Sequence, residues 1–147
     1  MRFRYVLIAA TMLIAFIATR PAHAILPFYN AFKKDYLDKL ADKAFAEEVN
    51  KASNRCFICH QSKDRKKRNV MGKELSKFLN SKKDAKDAEK ISASIKKVLE
   101  MHVDPKDDKS ETYLDRLKAS KWPAGDLEEL KKETKDAAEV EAEEKKE

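Results

Sequence analysis

The chain has 147 residues, 39% of them charged, with 32 Lys and Arg against 26 Asp and Glu for a net charge of +6. Two glycines, two cysteines and no strand-length β-branched run beyond the first 20 residues argue against a sheet protein and against a disulfide-dense scaffold. Abundant Ala, Lys, Glu and Leu favour helices, so the expected fold is all-α.

The N-terminus reads as an export signal. Arg2 and Arg4 precede an uncharged run, "YVLIAATMLIAFIAT", and Ala22-His23-Ala24 has the small-x-small form that signal peptidase cleaves. As a helix this run reaches about 22 Å, short of the roughly 30 Å hydrocarbon core of a bilayer. Residues 1–24 are therefore expected to be a cleaved signal, the alternative being an uncleaved anchor. Cleavage removes three arginines and leaves 123 residues at +3. That suits one small domain in the periplasm or an equivalent space, with no stable membrane span after cleavage. Export and the mild charge also argue against a nucleic-acid partner.

Phe28, Phe32, Tyr36, Leu40, Ala44 and Val49 recur at helical steps after Pro27, which predicts one helix over about 28–52. Core packing explains such a stripe, and packing on a cofactor edge is a special case of it. Then comes "NRCFICHQSK", with both cysteines of the chain. The polar run 61–69 reads as a loop. A short helix is expected over 71–80, with Met71, Leu75, Phe78 and Leu79 on one face. Ser81 or Asp84 is the expected cap of a longer helix over about 87–102, striped by Ile91, Ile95, Val98 and Leu99 and stopped by Pro105. A further helix, about 111–121, carries Tyr113, Leu114 and Leu117. Residues 124–147 read as a charged tail, helical at first through Leu127 and Leu130 and then frayed. The domain is thus expected over 25–123.

Cys56, Cys59 and His60 carry the chemistry. A thioredoxin-type dithiol needs a βαβ frame, for which no strands are legible. A structural zinc needs four ligands, and adjacent Cys59-His60, with His102 as a distant fourth, has unusual spacing. A Cys56–Cys59 disulfide closes so small a loop that it stabilises little. C-x-x-C-H is the c-type haem attachment signature, and it uses all three residues: two thiols for the vinyl groups, then a histidine for the iron.

The motif matches that of the small monohaem c-type cytochromes, which the chain resembles in layout: helix, CFICH, short helix, longer helix, final helix. More loosely, "CFICH…RNVMGKEL" and "LKASKWP" resemble pieces of small exported monohaem cytochromes from planctomycete-type bacteria. The resemblance implies one covalent haem c in a helical shell, electron transfer, attachment through Cys56 and Cys59, and His60 as proximal iron ligand. Many such proteins have a recognisable methionine well downstream; this chain has no plain match. The candidates for the sixth ligand are Met71, Met101 and His102. His102 is favoured, because continuing the 87–102 helix places it near the centre of the apolar stripe. A ligand-binding or sensing haem protein with an open sixth position is the alternative to an electron carrier. No Ser-His-Asp set or phosphate loop is legible, so an enzyme is not expected.

Charge is unevenly spread. Arg55 to Phe78 holds eight basic and two acidic residues, whereas 126–147 holds five and ten. The cluster Arg55, Lys63, Arg65, Lys66, Lys67 and Arg68 flanks the attachment motif and suits an acidic redox partner.

Overall fold

The computed structural model describes residues 26–62 and 66–132. The expected leader over 1–24, the tail beyond 132, and Lys63 and Arg65 of the basic cluster lie outside the described residues. Those described are helical, with no strand beyond two isolated antiparallel bridges, His60 with Arg68 and His102 with Thr112. All-α is therefore the fold class.

The helix expected over 28–52 is two helices. α1 spans Leu26–Asp35, with Pro27 in its first turn where a missing N–H costs nothing. A 3₁₀ turn follows at Leu37–Lys39, Leu40 is extended, and α2 spans Lys43–Asn50. Asp42 starts α2 by accepting from the Phe45 N–H at 3.0 Å. Helical spacing runs through this stretch, but the carboxylate at 42 offers the backbone a cap and a new start.

A 3₁₀ turn, Arg55–Ile58, carries the first part of the motif. α3 spans Val70–Phe78, capped by Asn69. α4 spans Ala88–Leu99 and is capped by Asp87, not by Ser81 or Asp84; Asp84 instead accepts from the Asn80 N–H and the Lys90 ammonium. α5 spans Tyr113–Lys118 behind a capping box of Thr112 and Asp115. α6 spans Leu127–Lys131.

α4 is the central helix, packing against α1, α3 and α5. Its stripe is as expected: Ile91, Ile95, Val98 and Leu99 are all at most 2% exposed. Each such side chain contributes about 1.5–3 kcal/mol through burial. Phe45 meets Trp122 edge-on, with centroids 6.1 Å apart, which ties α2 to the segment after α5.

The expected domain end at 123 moves. Leu130 of α6 is 3% exposed and joins the core. Ser62 donates its N–H to the Leu130 carbonyl at 2.7 Å, and the Gln61 side chain donates to the Glu129 carbonyl, also at 2.7 Å. The domain therefore continues to the last described residues. A five-residue amphipathic turn inside an acidic segment carries too little periodicity to be legible in sequence.

Candidate functional site

The motif occupies a tight turn held from both sides. Cys59 and His60 direct their N–H groups back to the Cys56 carbonyl, at 3.2 and 2.9 Å. Asn69, 4% exposed, does most of the remaining work. Its side-chain amide donates to the carbonyls of Phe57 at 2.8 Å and Ile58 at 3.2 Å. Its side-chain oxygen accepts from the Gly72 N–H at 2.8 Å, and its own N–H donates to the Cys59 carbonyl at 3.1 Å. One side chain thus caps α3 and binds the motif turn to it. Gly72 completes the contact by bringing the helix backbone against Cys59. Sequence reasoning gave neither residue a role. The available signals were an N-cap residue before "VMGKEL" and a glycine inside a helical pattern.

Cys56, Cys59 and His60 line one cavity of about 340 Å³. Phe28, Tyr29 and Phe32 of α1 form one wall, and Met71, Leu75 and Leu79, from α3 and the residue after it, form another. Ile95 of α4 adds to the apolar lining. Phe28 and Phe32, the start of the first stripe, therefore face the cavity, Leu40 and Val49 belong to the core, and Ala44, expected on the stripe, is exposed, with its neighbour Phe45 buried instead. Arg55 and Arg68 also line the cavity, and no Asp or Glu is among the described residues of the lining.

The His60 ring places Nδ1 3.3 Å from the Lys67 carbonyl. A carbonyl only accepts, so this contact puts the ring proton on Nδ1 and the metal-binding lone pair on Nε2. Both cysteines are free thiols. Burial pushes the Cys59 thiol up to about 12; the neighbouring Cys56 adds to the rise and Arg68 opposes it. Cys59 is thus held as a neutral thiol.

The candidates for the sixth iron position separate. Met71, 1% exposed, lines the cavity. Met101 packs on the core and does not line it, and neither does His102. His102 misses because α4 ends at Leu99, so the helical phase that carried it onto the apolar face stops before it. Its Nδ1 donates to the Ser110 carbonyl, and its backbone pairs with Thr112, fastening the 104–110 loop. His102 therefore stands apart from Cys56, Cys59 and His60, and no group of three or more His, Cys, Asp or Glu among the described residues could hold a metal ion by itself.

The donor set fits a haem attached through two thioethers: two thiols, an imidazole of defined tautomer, a thioether and apolar walls. No protein-family model, curated protein or solved structure matches the chain. No described helix is long and apolar enough to cross a membrane.

Proposed function

We propose that the protein is an exported monohaem c-type cytochrome that transfers electrons. The observation that carries this reading is the meeting of Cys56, Cys59 and His60 on the wall of one cavity with aromatic and aliphatic lining, in a C-x-x-C-H motif. Haem c would supply one-electron chemistry at its iron. Cys56 and Cys59 would hold it covalently, which would prevent its loss after export. His60 would ligate its iron through Nε2, with the ring oriented by the Lys67 carbonyl as outer-shell acceptors orient metal-bound histidines. Phe28, Phe32, Leu75 and Ile95 keep water from the group. Met71, the methionine that lines the cavity, would be the residue to supply a further iron ligand. The redox partner is an acidic protein that docks at the basic residues around 55–68, among which Lys66 and Arg68 are exposed.

The test is expression of the full chain with a c-type maturation system. Haem that stays with the denatured polypeptide on a gel, and is lost in the Cys56→Ala/Cys59→Ala double variant, supports the reading. Haem that extracts into acid-acetone, or a protein that takes up none, sinks it. Rapid CO uptake by the reduced protein would point to an open sixth position and a sensing role. Electron-transfer rates that are indifferent to salt would remove the acidic partner.

A further inference from the structure

Arg55 and Arg68 meet the cavity from the two ends of the motif. Arg55 precedes Cys56, and Arg68 is bridged through its backbone to His60. Their positions are thereby fixed relative to the thiols. Every ion pair among the described residues is made by a lysine, and neither arginine has a carboxylate partner there. No Asp or Glu is among the described residues of the cavity lining either. Two guanidinium groups thus stand at the cavity with no carboxylate partner among the described residues. Both act on its other polar groups: Arg55 opposes the rise that burial causes in the Tyr29 hydroxyl, and Arg68 opposes that in the Cys59 thiol. Tyr29 is itself fixed by donating its hydroxyl to the Asn50 side chain at 2.8 Å.

Like charges that face one cavity repel each other, even half-buried or exposed ones such as Arg55 and Arg68, and a ligand that brings anions to them relieves the repulsion. Guanidinium is the side chain best matched to carboxylate, through paired N–H donors in a fixed fork. The rest of the lining is mainly aromatic and aliphatic, with the neutral polar Ser76, Asn80 and Ser81 among it. A ligand suited to the arginines and to the apolar part has a large apolar body and two carboxylates. We infer that Arg55 and Arg68 are the two carboxylate anchors of this cavity. Resting on the haem reading above, they bind the two propionates and set the orientation in which the vinyl edge meets Cys56 and Cys59. The anchors also tune the bound group: two positive charges beside it disfavour the oxidised, more positive state.

The test uses the full chain, with Arg55→Gln, Arg68→Gln and the double variant. In haem-loaded protein, the double variant keeps its haem and its helical circular dichroism. Its midpoint potential is lower than that of the wild type, and it gains a pH dependence between about pH 5 and 8 as unpaired propionates take up protons. A potential and pH profile identical to the wild type overturns the anchors, even with haem attached. Should the wild type take up no haem, the haem reading fails and the anchors are tested separately with zinc protoporphyrin IX and its dimethyl ester. The free acid then binds the wild type about tenfold or more tightly than the ester, as expected for a charge-assisted hydrogen bond, and the preference disappears in the double variant. Equal affinities for acid and ester, or a preference that survives the double substitution, overturn the proposal.

Discussion

Gly72 lies so close to Cys59 that a Cβ on it would stand 1.9 Å from the Cys59 carbonyl oxygen. The obstacle is backbone, which cannot swing aside as a side-chain tip can. The helix carrying Met71 and the turn carrying both thiols are therefore in contact only because residue 72 has no side chain.

Gly72→Ala sets two effects of opposite sign against each other. Alanine in a helix interior gains about 1 kcal/mol over glycine. Forcing α3 away from the motif costs about 1–3 kcal/mol, more if the Asn69 bonds are lost with it. Net destabilisation is expected, together with a lower yield of haem-bearing protein. Urea denaturation followed by circular dichroism, and haem staining at equal protein, are the measurements. A variant more stable than the wild type would show that the close approach is not required.

Asn69→Ala removes a helix cap and leaves two carbonyls of the motif turn without their donor. A cap is worth about 0.5–2 kcal/mol and an unsatisfied buried group about 1–3 kcal/mol. A total loss of about 2–4 kcal/mol is expected. Asn69→Asp separates the two roles. It keeps an acceptor for the Gly72 N–H but sets a carboxylate against the carbonyls of Phe57 and Ile58. It is expected to fold with the helix intact and the motif turn loosened, seen as faster amide exchange at His60 than at Lys73.

Met71→Leu conserves volume and costs less than about 1.5 kcal/mol. In the haem-bearing protein it is expected to remove the far-red absorption band of methionine–iron bonding and to lower the potential. His102→Ala is expected to leave that band in place and to cost about 1 kcal/mol through the lost bond to Ser110. The reverse pair of results would return the sixth position to His102.

In the folded protein with its thiols free, burial pushes the Cys59 thiol up to about 12, well above its usual value of 9.0. The folded state therefore favours the protonated form. That stabilisation is complete below about pH 9 and is lost as pH rises from there through about 12. Haem-free protein is accordingly expected to lose stability across this alkaline window, and Cys59→Ala to lose less. At pH 8, alkylation of Cys59 followed by peptide mapping is expected to be slow in folded protein and fast in urea. Equal rates in both would contradict the burial argument.

Leu130→Ala should cost about 2–5 kcal/mol, as for other buried leucines. Truncation after Gly125 should cost at least as much, since the backbone partner of Ser62 goes with it. Thermal unfolding of both variants checks this, and an unchanged midpoint in the truncation would place α6 outside the cooperative unit.

The sequence by itself determined the helical class, the α4 stripe and the three residues of the motif. These are local properties: helical preference and a period of 3.6 can be read without neighbours, and C-x-x-C-H lies within five consecutive positions. The tertiary structure decided everything that depends on where one segment ends or meets another. Asp42 divides the first stripe, because a carboxylate can cap a backbone that periodicity alone would have continued. Leu99 ends α4, which turns His102 away from the cavity to Ser110 and leaves Met71 at the wall. Leu130 brings an acidic segment into the core with one buried side chain and two backbone partners. Asn69 and Gly72 matter through atoms of Phe57, Ile58 and Cys59, ten or more residues away along the chain. A polar bond or a steric limit across that separation leaves no period in the sequence, because it depends on how two segments are brought together.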